Sequence, residues 1–427
     1  MMQESRRTFL SLLVLSTLLL ASPSVVRADS VIASIGVGDG PLAIAYAPSS
    51  DQIFAANHLA NTVSVISDRT NTVAKNISLG SAMYPEGLAF DSGRNEMFVT
   101  ANGNSETTPE IYIISVANDS IVGNIAMPAS SANLAYDSSK GEVFVASPAS
   151  SSQAEQGGPL IMQGNSTIAV ISDSTDSVIA TVSLGEVPSN LTYGSGKGDQ
   201  PIPGSMVFDS ARGEVFVSNE VYNFSDGAKV ASTVSVISDE TNKLLATIDI
   251  GGGTNPEGLA YDSSKGEIFV VNSNGTDVSV ISDVTDSVVA KIRVEAESTG
   301  HEQGTNGVLG VAYDQSKGEV LVANEWNYIP NTVSVISDVN DSVVAKLDVG
   351  YGPSGLAYDS GRGEVFVANT GDNTVSIISD TVAAPEFPGY WVLPALLAIV
   401  LGASVWVYTL SKRPRGLLPN SARFRFT

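Results

Sequence analysis

The chain repeats itself, and the repeat constrains the fold more than anything else in it. One unit reads Gly355-Leu-Ala-Tyr-Asp-Ser-Gly-Arg-Gly-Glu-Val-Phe-Val-Ala-Asn369, then Asn373-Thr-Val-Ser-Ile-Ile-Ser-Asp380. The aromatic of its first run recurs at Tyr46, Phe90, Tyr136, Phe208, Tyr261, Tyr313 and Tyr358. The intervals are 44, 46, 72, 53, 52 and 45 residues. Each unit holds four short runs rich in Val, Ile, Ala and Tyr, separated by Gly, Asp, Asn and Ser. Runs of that kind are strands joined by tight turns. Four strands in a unit of about 40–50 residues make the blade of a β-propeller. The expected fold is all-β: a seven-bladed β-propeller of four-stranded blades over residues 29–382.

The turns agree with that alignment. Between the first two strands one position reads Asp51, Asn95, Gly141, Gly213, Gly266, Gly318 and Gly363. Gly, Asn and Asp tolerate a positive φ, so this is a left-handed turn position. The second and third strands (Val215-Phe-Val217, Val333-Ser-Val-Ile336) are nearly continuous in apolar residues, as burial on both faces requires. The fourth alternates (Ala345-Lys-Leu-Asp-Val349), as an outer edge strand does. The last unit stops after its third strand. Asp29-Ser-Val-Ile-Ala-Ser-Ile-Gly-Val-Gly38 matches the fourth strand at Asp341-Ser-Val-Val-Ala-Lys-Leu-Asp-Val-Gly350. The N-terminal strand is therefore expected to complete the seventh blade and close the ring.

Both ends read as addresses. Residues 1–28 form a signal peptide: Ser5-Arg6-Arg7-Thr8-Phe9-Leu10, an apolar run from Leu12 to Ala21, and a small-residue cleavage site between Ala28 and Asp29. The arginine pair resembles the twin-arginine export motif; an ordinary signal flanked by two arginines is the alternative. Gly389 to Leu410 carries no charge, and its 22 residues are long enough to span a bilayer as a transmembrane helix. Trp391, Trp406 and Tyr408 stand near its edges. The tail 411–427 is basic, with Lys412, Arg413 and Arg415 first, which places it in the cytoplasm and residues 29–384 outside. The linker 383–388 holds Pro385-Glu386-Phe387-Pro388. Pro-Glu-Phe before a membrane helix and basic residues resembles archaeal PEF-type sorting signals, which imply removal of the helix by a transpeptidase. A plain anchor is the alternative.

Tyr-Asp-x-x-x-Gly-Glu-Val-Phe-Val-Ala-Asn followed by Asn-Thr-Val-Ser-Val-Ile-Ser-Asp resembles the YVTN family of seven-bladed propellers, found in archaeal surface-layer and other exported proteins. The likeness covers roughly residues 30–380. The eponymous Tyr-Val-Thr-Asn is replaced here by Phe-Val-Ala-Asn and by Phe98-Val-Thr-Ala101. The resemblance implies the fold and an envelope location. It does not imply one function, because propellers host unrelated activities.

Composition excludes several chemistries. The chain has no cysteine and two histidines. That removes disulfides, thiolate metal sites, c-type haem and multi-histidine copper or zinc centres. The net charge of −23 argues against nucleic acid as a partner. Residues 29–384 carry 43 acids and 14 bases, so the exported part is more acidic than the whole.

Length variation falls on one side. The first-to-second and third-to-fourth connections are constant. Every insertion lies in the other set: Gly103–Glu110, Ser147–Asn165, Tyr193–Gly204, Glu220–Ala231, Glu295–Asn306 and Glu325–Pro330. One-sided elaboration of a rigid scaffold is how binding faces are built; tolerated insertion is the alternative. The same face collects Glu325, Trp326 and Tyr328, Glu220, Tyr222 and Phe224, His58, and His301 with Glu302. Exposed aromatics beside Asn and Glu suit a glycan or a protein; solvated loops are the alternative. A metal site using His58, His301, Glu302 and Glu325 is a lesser reading. Glu86 and Glu257 open innermost strands and are expected at the channel mouth. Asp239, Asp283, Asp286, Asp338 and Asp341 recur in the third-to-fourth turn, as turn caps or as Ca²⁺ ligands. No cofactor is otherwise evident. Sequons stand at Asn76, Asn118, Asn165, Asn190, Asn223, Asn274 and Asn340 as glycan acceptors.

Two functions follow. The first is a non-enzymatic, membrane-anchored envelope scaffold that binds an envelope protein, a glycan or another copy of itself. The second is a propeller enzyme, lactonase-, lyase- or quinoprotein-like, with a carboxylate-held Ca²⁺ or Mg²⁺.

Overall fold

A computed structural model describes residues 27–382 apart from 105–106, 129, 132, 149, 154–159, 164–165, 186–199, 223–228, 252–253, 274–276, 295–307 and 325–330. Residues 29–380 cluster as one unit, and residues 1–28 with 381–427 as another. The expected signal segment and transmembrane helix lie outside the described residues. Among the described residues no helix is long and apolar enough to cross a membrane.

Seven four-stranded sheets form the ring. Blade 1 is Pro41–Ala47, Gln52–Asn57, Thr62–Ser67 and Thr72–Ser78. Its strands pair antiparallel in sequence order. Blades 2 to 6 repeat that order. In blade 7 the order is Pro353–Asp359, Glu364–Asn369, Thr374–Val382 and then Arg27–Gly36. The N-terminal strand thus supplies the missing fourth strand. Val37 N–H donates to the Asn373 carbonyl at 2.9 Å, and Lys317 of blade 6 reaches Asp29 at 2.5 Å.

Burial follows strand position. Second strands are buried almost throughout, whereas fourth strands alternate, with only their inward residue such as Ile77 or Ile292 sealed. Phe54, Phe98, Phe144, Phe216, Phe269 and Phe366 occupy one position of the second strand and are fully buried between blades. The Asn that ends this strand is pinned rather than exposed. Asn369 Nδ2 donates to Thr374 Oγ1 at 2.9 Å and Ser376 Oγ at 2.8 Å. Asn57, Asn219 and Asn324 do the same with their own Thr and Ser. Where Asn gives way to Ala101 or Ser147, the paired Ser has also gone, to Tyr112 and Ala169.

All seven predicted turn positions have a positive φ, from 52° at Asp51 to 69° at Gly363. A second left-handed position recurs in the third-to-fourth turn, at Asn71, Asp119, Asp176, Asn242, Asp286 and Asp341. That accounts for the recurrent Asp286 and Asp341 as backbone residues of the turn. Asp239, Asp283 and Asp338 have another place. Each packs its carboxylate against the turn glycine of its own blade, Gly213, Gly266 or Gly318.

There they join a network that crosses the blade boundaries. The Tyr136 hydroxyl donates to Asp173 at 3.3 Å and faces Asp91 of the preceding blade. Tyr261 lies likewise between Asp283 and Asp209, and Tyr313 between Asp338 and Asp262. Tyr46 sits between Asp68 and Asp359, across the closure of the ring. The cross-boundary carboxylates also cap their own turns: Asp91 accepts from the N–H groups of Gly93 and Arg94 at 2.7 and 3.0 Å. Between blades 1 and 2 the three positions read Ala47, Phe90 and Val116, which pack in one apolar cluster. Between blades 3 and 4 the set is mixed: Phe208 takes the tyrosine's place while Asp137 and Asp239 remain, and Lys140 pairs with Asp239 at 3.2 Å.

Burial and the neighbouring carboxylate push Asp68 up to about 6. Burial and the charge of Asp29 push Glu319 up to about 7. Burial also raises Asp173, Asp283 and Asp338. Asp262 moves the other way: burial raises it, but hydrogen bonds from Ser264 outweigh that. A carboxyl raised in the folded state binds its proton more tightly there. Its stabilising contribution is complete below the ordinary values of 3.8 and 4.5 and is lost as pH rises through about 6 for Asp68 and about 7 for Glu319. The melting temperature is therefore expected to rise as pH falls from 7.5 to 5, by calorimetry. A melting temperature that falls over that range would contradict the assignment.

Candidate functional site: the central cavity

The innermost strand of each blade has no partner toward the ring axis. A strand edge of that kind accepts proline, which lacks an N–H. Pro41, Pro85, Pro256 and Pro353 open their strands. The residue before each is left-handed: Gly40, Tyr84, Asn255 and Gly352, with φ of 65°, 44°, 57° and 71°. A tyrosine in that region is strained. A bulge follows each proline, between Pro85 and Gly87 and between Pro256 and Leu259 for example. The bulged residues Leu42, Glu86, Glu257 and Ser354 line the cavity on the ring axis.

Two residues further along each strand, about 6 Å deeper at strand rise, the lining turns apolar. Ile44, Leu88, Leu134, Met206, Leu259, Val311 and Leu356 form a belt with one member from each blade. The cavity holds about 410 Å³, within the usual range of small-molecule sites. Its width depends on glycine. A Cβ on Gly355 would come 2.6 Å from the Leu42 carbonyl oxygen of blade 1, and one on Gly310 would overlap the Ser354 carbonyl of blade 7.

The mouth is acidic and built. Glu86 is pushed above its ordinary value by burial, against an Asn102 amide donor and His58, which both pull it down. Asn102 is itself fixed, its Oδ1 accepting from Ser131 N–H at 2.7 Å. His58 stacks on Tyr84 with ring centroids 5.4 Å apart, and its Nδ1 stands 3.9 Å from Glu86 Oε1. Across the ring, Asn255 Nδ2 donates to Glu257 Oε1 at 3.2 Å and to Ser273 Oγ at 2.5 Å.

The structure thus brings His58, Glu86 and Glu257 to one end of the channel. Glu220 is elsewhere, in strand Glu214–Tyr222 and paired with Ile202 and Ser232. Tyr222 ends that strand opposite Gln200 and Lys229. Phe224, His301, Glu302, Glu325, Trp326 and Tyr328 lie outside the described residues, as do Asn165, Asn190, Asn223, Asn274 and Pro385 to Pro388. Asn76, Asn118 and Asn340 lie in a fourth strand or the third-to-fourth turns. Among the described residues no three His, Cys, Asp or Glu side chains come together as a metal would need.

Three expected insertions, Tyr193–Gly204, Glu220–Ala231 and Ser147–Asn165, are partly sheet. Gln200–Asp209, Glu214–Tyr222 and Lys229–Ser238 run on as long strands, because Val221 and Ala231 find burial beyond the usual blade end. Ser150–Gln153 and Leu160–Gln163 pair as a separate hairpin. The apolar belt and the bulges were not read from sequence, although the recurrent Pro followed three residues later by Leu, Ile or Met signals them.

No family model matches the sequence, and no curated protein matches it. Solved structures do match in fold. Kuenenia stuttgartiensis hydrazine synthase aligns with a TM-score of 0.62 at 15% identity, over 81% of this chain and 96% of that one. The β-propeller domain of Myceliophteria thermophila Cps50 (Swd1) aligns with a TM-score of 0.59 at 10% identity, over 83% and 100%. At those identities the likeness is one of fold: the chain is an all-β seven-bladed propeller.

Two substitutions check the site. Asn102→Ala removes the amide that favours ionised Glu86, so the Glu86 titration should move up, as carbon NMR of labelled glutamate reads. Gly355→Ala should destabilise the ring by about 1–3 kcal/mol through overpacking at the blade 7 to blade 1 contact, seen as a lower denaturant midpoint.

Proposed function

We propose that this protein is an exported, membrane-anchored scaffold of the cell envelope that binds a protein or glycan, or a further copy of itself, through one face of its propeller. One observation carries the reading. The first-to-second and the described third-to-fourth turns are all four residues long, whereas the opposite connections range from four residues to an added hairpin. A rigid ring with one constant and one elaborated face is a platform for recognition. The signal-like start, the apolar segment 389–410 and the resemblance to the YVTN family support the location. The Pro385-Glu386-Phe387 motif supports processing at the far end, and the sequons support glycans.

The propeller-enzyme reading draws on Glu86 beside His58 and on Glu257 as carboxylates available to Ca²⁺ or Mg²⁺. Elemental analysis of protein from its native membrane separates the two. Stoichiometric metal favours the enzyme.

The protein lacking residues 1–28 is expected to bind envelope fractions. Trimming all six insertions should abolish that binding while leaving the melting transition in place. Undiminished binding by the trimmed ring would sink the assignment. Mass spectrometry of the native protein should show a mature N-terminus at Asp29.

A further inference from the structure

We infer that removal of the signal segment completes the seam where the ring closes: the α-ammonium created at Asp29 supplies a second positive charge to a cluster in which Lys317 faces three carboxylates. The inference rests on the export reading above, in which the mature chain begins at Asp29. The seam repeats a motif of another joint. In blade 2, Arg94 of the first-to-second turn reaches Asp176 of blade 3 at 2.6 Å and Glu96 of its own second strand at 3.2 Å. Asp29-Ser-Val aligns with Asp176-Ser-Val, and Lys317 and Glu319 of blade 6 take the places of Arg94 and Glu96. Lys317 Nζ stands 2.5 Å from Asp29, 3.4 Å from Asp314 and 3.5 Å from Glu319. The cluster is also drier than its counterpart. The side chains of Lys317, Asp29 and Asp314 are 11%, 7% and 0% exposed, against 34% for Arg94 and 39% for Asp176.

One positive charge thus serves three acids away from water, where an unmatched carboxylate is costly. Glu319 shows the imbalance: burial and the charges of Asp29 and Asp314 push it up to about 7 against the pull of Lys317. A divalent metal would have to displace Lys317 to restore the balance. Processing restores it without displacing anything. Cleavage between Ala28 and Asp29 removes Arg27 and leaves no Lys or Arg from Asp29 to Asp68. The partner strand Thr374–Val382 brings no base either, since Asp380 is its one charged residue. The same cut turns the Asp29 nitrogen from a peptide N–H into an ammonium. Covalent geometry holds that nitrogen within about 5 Å of its own carboxylate, which Lys317 already contacts. Asp176 sits between two peptide bonds and has no such charge to offer. The seam therefore gains, on maturation, a cation that its counterpart lacks.

The test uses the chain that begins at Asp29 and runs to Thr427, purified in detergent. Competitive labelling of its α-amine across a pH series, read by mass spectrometry, reports the proton affinity of that amine. A pKa of about 9 or above is expected, against an ordinary value of about 8, because the carboxylates hold the proton in place. Glu319→Gln should return it toward the ordinary value. Glu267→Gln, the same change at another joint, should leave it where it is. Acetylating the α-amine should lower the melting temperature at pH 7. That difference should vanish as pH rises past the amine's own pKa, since a group raised in the folded state stabilises only while protonated. The labelling needs no variant, so it decides even if a substitution disturbs folding. An amine that titrates at or below about 8, or a melting temperature at pH 7 indifferent to acetylation, would overturn the inference. Mass spectrometry of the native protein separates the two readings. A native start other than Asp29 ends the cleavage reading and this inference together, whereas a native start at Asp29 with an ordinary amine ends this inference alone.

Discussion

Every blade is buried on both faces by its neighbours, and the joints between blades decide whether the ring holds together. The joint has an apolar part, a buried second-strand Phe (Leu321 in blade 6) with its surrounding Val and Ile. At Tyr46, Tyr136, Tyr261 and Tyr313 it also has a polar part, a tyrosine hydroxyl set between carboxylates from two successive blades. The apolar part supplies attraction without direction. The polar part fixes register, because a phenol that misses its acceptor is stranded in a dry site. Once the joints fix the blades, the innermost strands have one arrangement about the axis. The bulges, the belt and the carboxylate mouth follow from it.

Two joints are built differently. Between blades 1 and 2, Ala47, Phe90 and Val116 put an apolar cluster where other joints carry the polar trio, with Met97 and Leu88 beside them; the polar contacts across that boundary are Gln52 with Asp119 and His58 beside Glu86. Between blades 3 and 4, Phe208 takes the tyrosine's place while Asp137 and Asp239 remain, and Lys140 pairs with Asp239. The ring is therefore uniform in shape and uneven in chemistry.

Much of the architecture was legible because repetition averages out local ambiguity. Seven entries of Asp, Asn or Gly at one turn position could mean only a left-handed residue, and each has a positive φ. The match of Asp29–Gly38 to a fourth strand foretold the closure. Contacts across blade boundaries were not legible. Tyr136 and Asp173 share a unit, but Asp91 belongs to the one before, and the sequence does not show which side chains of different units meet. Blade 4 misled for another reason. Glu220-Val-Tyr222 looks like the start of a loop because the other blades turn there, yet its alternation continues the strand. The cavity's size rests on Gly310 and Gly355, whose missing side chains let neighbouring strands close in.

The strand that closes the ring is the first of the ring to be made. Arg27–Gly36 waits through the synthesis of the rest of the propeller before its partner, Thr374–Val382, exists. Until then both are open sheet edges, the form in which strands recruit foreign partners. Folding of this protein is thus a problem of custody: the earliest strand must be kept from the wrong neighbour until the last blade arrives.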